Sequence, residues 1–145
     1  MKVSSILKGK GGDVVTVRPD ASIASAIREL TGKGIGALVV SEDGRSVLGL
    51  ISERDIVQAL ARFGTLRLDL RVSDVMMRQV VTCRQDDPIT KVMDLMTRHR
   101  VRHLPVVEDR QLRGIVSIGD VVKYRLDELE TETNVLREAF IGRQP

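Results

Sequence analysis

Four segments of this chain occur twice, in the same order. VSSIL from Val3 recurs as VSDVM from Val72, and VVTVRPDASI from Val14 matches VVTCRQDDPI from Val80. GALVVSEDG from Gly36 matches RHLPVVEDR from Arg102, and GLISERDIV from Gly49 matches GIVSIGDVV from Gly114. The spacing differs by only a few residues, and chance does not keep four segments in register. The chain is therefore two copies of one unit, joined near FGTLRLDL, Phe63 to Leu70. Whatever the first copy folds into, the second must also fold into.

Each unit reads as β-α-β-β-α. A valine-rich run, VVTV or VVTC, suits a strand. A helix follows, with Asp20 or Ser22 as candidate caps in the first copy, and Asp86 or Asp87 before Pro88 in the second. Ile23, Ala26, Ile27 and Leu30 fall at helical spacing, as do Ile89, Val92, Met93 and Met96, and they read as packing residues. ALVV or HLPVV makes the next strand. After a turn (SEDGR or VEDRQ), VLGLIS or LRGIVS makes the third, and a closing helix begins at Glu53 or Ile118. A three-stranded unit this small cannot bury both faces of its sheet alone, so the two sheets are expected to share a core. The expected fold class is α/β (α+β), two such repeats packed sheet to sheet with a C-terminal helix. The units span 1–63 and 72–126, with a linker over 64–71. The segment 127–145 continues the last helix; from its last preceding residue, Leu126, the apolar positions Leu129, Val135, Leu136 and Phe140 follow, set among acidic residues. Leu129 and Leu136 are seven apart, as in a helical seam, which points to contact with a partner subunit; the alternative is a helix folded back on its own domain.

Composition narrows the function classes. Of 145 residues, 42% are hydrophobic and 30% charged, as in an ordinary soluble globular protein. Phe63, Tyr124 and Phe140 are the only aromatics, so the core is aliphatic, and their scarcity argues against a base-stacking platform for single-stranded nucleic acid. The net charge of +3 comes from interleaved charges without a basic run, which argues against DNA or RNA despite a pI near 9.3. A single cysteine, Cys83, permits no internal disulfide or cysteine-based metal site and fits a reducing cytoplasm. There is no apolar run of signal-peptide or membrane-spanning length, so a cytoplasmic protein without a membrane partner is expected. His99 and His103 are four apart but read as the end of a helix and the start of a strand, which separates them as metal ligands. No Ser-His-Asp, Walker or GxGxxG arrangement appears, and GKGG at Gly9 lacks the spacing of a phosphate-binding turn.

The feature with chemical content is Gly-aliphatic-aliphatic-Ser-x-x-Asp, present twice as Gly49, Ser52, Asp55 and as Gly114, Ser117, Asp120. It marks the point where a strand ends and a helix begins. Helix-start amides lack partners and attract anions. The Ser hydroxyl donates to a phosphate or caps the helix. The Asp, one turn in, accepts from two neighbouring hydroxyls, as a carboxylate does when it holds a ribose diol. The glycine permits close approach of ligand or backbone. For one copy alone, Ser-x-x-Asp is equally a helix cap; its recurrence at the same place in a duplicated unit favours a site.

With these motifs, and with RHLPVV, GIVSIGDVV and GLISERDIV, residues 1 to 126 resemble the CBS domain, the tandem repeat named after cystathionine β-synthase. The resemblance implies two repeats packed by their sheets, with two clefts related by a pseudo-twofold axis. It also implies AMP, ADP or ATP as ligands, and sometimes S-adenosylmethionine or NAD. The motif Asp would hold the ribose hydroxyls, and the motif Ser would lie near ribose and phosphate. Adenine would slot between strands of the other repeat. Carried onto this sequence, the first cleft takes Ile51, Ser52, Arg54 and Asp55 with Val81, Val101, Arg102 and His103. The second takes Val116, Ser117 and Asp120 with Val15, Ile35 and Gly36. Gly119 stands where the first copy has Arg54, and Gly36 where the second has Arg102, so the first cleft is the more positive and is expected to bind more tightly. The implied function is a non-catalytic regulatory module, paired as a homodimer and acting on an unknown effector protein. The alternative is a dimerisation or interaction scaffold with no nucleotide function.

Overall fold

The computed structural model describes residues 1–64 and 67–142. Residues 65 and 66 of the expected linker 64–71, and 143–145 of the expected C-terminal segment, lie outside the described residues. The elements run α1 (Val3–Lys10), β1 (Thr16–Val17), α2 (Ile23–Lys33), β2 (Ala37–Val40), β3 (Gly49–Ser52) and α3 (Glu53–Phe63). The second copy has α4 (Val72–Val75), α5 (Ile89–His99), β4 (His103–Glu108), β5 (Gln111–Ser117) and α6 (Ile118–Ile141).

In the first copy β1 runs parallel to β2, with Val17 opposite Val40, and β2 antiparallel to β3, with Val39 opposite Leu50. In the second, β4 and β5 pair antiparallel with an irregularity between Val106 and Val107. The expected opening strand VVTC is reduced to one parallel bridge, Cys83 to Val106. The chain turns away immediately afterwards. The Arg84 amide donates to Asp87 Oδ2 at 2.8 Å, and the Asp87 amide donates back to the Arg84 carbonyl at 3.1 Å. This local turn overrides the strand propensity of the valines. Asp87 is thereby committed to the turn, and to Lys91 at 3.1 Å, so α5 starts at Pro88 without a side-chain cap. Of the cap candidates, Ser22 is used: its hydroxyl accepts from the Ser25 amide at 3.1 Å at the start of α2.

The sheets meet through Ala37, Val39 and Leu50 of one and Leu112 and Ile115 of the other. Each outer face carries its own aliphatic core under the helices. Ile23, Ala26 and Leu30 are buried on one side, and Ile89, Val92 and Met96 on the other, at the helical spacing read from the sequence.

The leading helices are exchanged. Val3 and Ile6 of α1 are buried with Val92, Leu104, Val116 and Val121, in the core of the second copy. Val72 of α4 is buried with Ile23, Leu38, Ile51 and Ile56, in the core of the first. Matching backbone bonds pin the crossovers. Val3 N donates to Asp87 O and Ile89 N to Met1 O; Ile23 N donates to Leu70 O and Val72 N to Ala21 O. Both motif glycines lie under these crossings. A Cβ on Gly49 would sit 2.8 Å from the Met77 carbonyl oxygen just beyond α4, and one on Gly114 would sit 2.6 Å from Leu7 of α1. The close approach at these glycines is that of protein, not of ligand.

α6 continues without a break from the motif Ser117 to Ile141, a span of about 36 Å. Its first half packs on α5, β5 and α1, whereas from Leu129 onward every residue is exposed. Among the described residues, no helix is long and apolar enough to cross a membrane.

Candidate functional site

The two Ser-x-x-Asp motifs form reciprocal caps. Ser52 Oγ accepts from the Asp55 amide at 3.3 Å, and Asp55 Oδ2 accepts from the Ser52 amide at 2.8 Å and hydroxyl at 2.9 Å. Ser117 and Asp120 repeat this at the start of α6, with the amide bonds at 3.1 and 3.0 Å. The first helical amide is also engaged in each copy, Glu53 N by the Gly36 carbonyl at 3.0 Å and Ile118 N by the Arg102 carbonyl at 2.8 Å. Of the first three helical amides, which lack intrahelical acceptors, Arg54 N and Gly119 N alone remain open among the described residues. The helix ends therefore offer less to an anion than the sequence reading expected, and side chains must supply the rest.

The first cleft, about 840 Å³, does so. Ser52, Arg54 and Asp55 line it from one copy and Val101, Arg102 and His103 from the other, as expected from the sequence. Two further expected residues stand elsewhere. Ile51 is fully buried in the first core, and Val81 is half-buried against the second. The walls are completed by Gly36, Leu50, Glu53, Val57, Gln58, Met77 and Arg100. Arg54, Arg100 and Arg102 take part in no ion pair among the described residues. Arg100 was missed by sequence reasoning, although the repeat alignment marks it: it stands opposite Gly34. Both residues end a helix in the left-handed conformation, Gly34 at φ 62° and Arg100 at φ 54°. Glycine adopts this conformation freely, whereas arginine there costs about 1 kcal/mol. Such a cost is commonly retained where the side chain has work to do.

The second cleft is smaller, about 330 Å³. Val15, Ile35, Gly36 and Ser117 line it as expected, and Val116 is fully buried in the second core. Lys10, Asp13, Val14, Gly34, Ala37 and Ile115 complete it together with His103. Asp120, also expected there, is not itself among the lining residues; its carboxylate meets the ammonium of Lys10, which is, at 2.6 Å. Burial raises the Asp120 carboxyl, but the hydrogen bonds from Lys10 and the Ser117 amide outweigh it and hold the group below its ordinary range. His103 and Gly36 belong to the walls of both clefts, and the imidazole lies 3.3 Å from where a Gly36 Cβ would stand. Burial, and then the nearby Lys10 charge, lower the His103 pKa, so the ring is neutral at neutral pH. Cys83 is buried and its thiol pushed up to about 12, first by burial, which makes it unreactive.

Comparison with known proteins matches the CBS domain model to residues 6–62 and 72–127. The crystal structure of a CBS-domain-containing protein from Agrobacterium tumefaciens superposes with a TM-score of 0.83 at 46% identity, covering 86% of this chain and 99% of that one. The mitochondrial CBS-domain-containing protein CBSX3 of Arabidopsis thaliana is 32% identical over 97% of this chain and 72% of its own length. The CBS domain pair of protein MJ0100, solved in complex with 5′-methylthioadenosine and S-adenosyl-L-methionine, superposes with a TM-score of 0.78 at 26% identity, covering 88% and 98% of the two chains.

Proposed function

The chain belongs to the CBS-domain family, and from that premise we propose that it is a non-catalytic, cytoplasmic regulatory module that binds an adenine nucleotide of the AMP, ADP or ATP class between its repeats and signals occupancy to an effector protein. One observation carries this reading. The first cleft, built from both copies, brings together three guanidiniums without ion-pair partners, the carboxylates of Asp55 and Glu53, and the aliphatic walls of Leu50, Val57 and Val101. That combination answers the three parts of a nucleotide: phosphate, ribose diol and base. Its volume lies within the range of small-molecule sites. The adenosyl ligands in the MJ0100 structure support the base and ribose parts. The same chemistry leaves room for S-adenosylmethionine or NAD, which the phosphate contacts separate.

The exposed apolar face of α6 supports a homodimer. Ile118, Val122 and Leu126 are exposed along one stripe, and Leu136, further on, is 71% exposed. An isolated helical segment with that much open apolar surface is marginal in water. A face of this kind also suits a pure interaction scaffold, so ligand and subunit count need one measurement. Native mass spectrometry of the purified protein is expected to show a dimer carrying adenine nucleotide. A monomer without nucleotide, even at millimolar AMP, would contradict both halves of the reading.

Arg54 gives a finer test. Arg54→Ala is expected to weaken AMP by about tenfold, the worth of one charge-assisted hydrogen bond. Adenosine should be nearly unaffected, because it has no phosphate to lose. Equal weakening of both ligands in calorimetry would place Arg54 on the base or ribose instead.

A further inference from the structure

The two clefts are not equivalent, and the difference lies in a helical turn that only one of them meets. α1 reaches Lys10, whereas its counterpart α4 ends at Val75 after four residues. The longer helix places Lys10 Nζ 2.6 Å from Asp120 Oδ2 and 3.0 Å from the Ile115 carbonyl, inside the wall of the second cleft. Asp55, the equivalent carboxylate, has no cation on it and bonds only within its own cap among the described residues. Lys10 is also anchored at its base. α1 is held in the second core by Val3 and Ile6, and Gly9 lies against Tyr124 of α6. A lysine stem is long and flexible enough to swing its ammonium by several ångströms while the helix stays in place.

We propose that Lys10 is the specificity residue of the second cleft: it occupies Asp120 while the cleft is empty, and on nucleotide binding it moves from that carboxylate to the phosphate. This rests on the nucleotide reading above and adds a selection rule to it. A nucleoside entering this cleft must compete with Lys10 for Asp120 and leaves the displaced ammonium without an anion. A nucleotide brings the replacement anion with it. The second cleft therefore rejects adenosine and accepts AMP, ADP or ATP. The first cleft has its arginines already free of carboxylates and binds the nucleoside without such a cost.

The test is isothermal titration of adenosine and of AMP into the full chain carrying Asp55→Ala, which silences the first cleft, with Lys10, Lys10→Met or Lys10→Arg. Lys10→Met is expected to tighten adenosine by about tenfold and leave AMP no tighter, so the preference for AMP collapses. Lys10→Arg, which keeps the cation, should retain the preference, and this separates a role in selection from one in holding α1. The Asp120 carboxyl, followed by NMR, should titrate higher in Lys10→Met. Adenosine binding unchanged or weakened by Lys10→Met, or both ligands lost together, would overturn the proposal while leaving nucleotide binding intact. If neither ligand bound the chain with both Asp55 and Lys10 in place, the nucleotide reading would fail, and this proposal with it.

Discussion

Asp55→Ala is expected to abolish the tighter of two calorimetric phases for AMP, weakening the first cleft by at least about a hundredfold. A carboxylate accepting from both hydroxyls of a ribose makes two charge-assisted bonds, each worth roughly 1.5–3 kcal/mol, and alanine removes both. Oδ2 is shared with Ser52, so the carboxylate is held in place before the ligand arrives, and little ordering is left to offset the gain. The substitution also removes half of a capping box, at a cost of about 1 kcal/mol in stability. Asp120→Ala is therefore the matched control, because it damages the equivalent cap on α6. If Asp120→Ala removed the tight phase and Asp55→Ala spared it, the ranking of the clefts would be inverted.

The second large effect concerns stability. Gly49→Ala is expected to destabilise the protein by roughly 3 kcal/mol, since overpacking against a fixed neighbour commonly costs 1–3 kcal/mol or more. The methyl group would lie 2.8 Å from the Met77 carbonyl oxygen, which is itself bonded to the Leu50 amide at 3.0 Å. Main chain on both sides must shift. For a chain of this size that corresponds to a fall in Tm of about 6–12 °C. Gly114→Ala has nearly the same local sequence and should cost less than half as much, because the obstruction there is the end of the Leu7 side chain, which can rotate. Thermal melts of the two variants decide the matter. Equal losses, or a larger loss at Gly114, would show that side-chain relaxation is not what separates them.

The repeat made much of this architecture legible. Helix faces such as Ile23, Ala26 and Leu30, the paired strands, and the point where each closing helix begins all follow from short-range pattern and turn chemistry, and the structure has them. What was not legible depends on distant partners. Val3 and Ile6 mark an apolar face, but nothing local says that the core it enters belongs to the other copy. Lys10 is one lysine in a GKGG stretch until the fold brings Asp120 to it. The helix-start amides looked open to an anion because the acceptors that close them, the carbonyls of Gly36 and Arg102, lie just before β2 and β4, far from the motifs in sequence. Arg100 is the exception, a residue whose signal was present in the alignment against Gly34. The two short runs VVTV and VVTC show the limit of propensity, since one yields a two-residue strand and the other a single bridge.

The exchange of α1 and α4 bears on how the chain reaches its native state. The first core stays open until Val72 has left the ribosome, and α1, synthesised first, finds its place only when Val116 and Val121 exist to receive it. The closing contacts therefore join segments far apart in sequence, which raises contact order and is expected to slow folding relative to two repeats that each completed their own core. Once formed, the interlock works in the opposite sense. Neither repeat can open without exposing apolar residues of the other, so local unfolding of one half should be tied to global unfolding, and the pair is expected to melt in one cooperative transition. The duplication visible in the sequence is thus a repeat in pattern but an indivisible unit in thermodynamics.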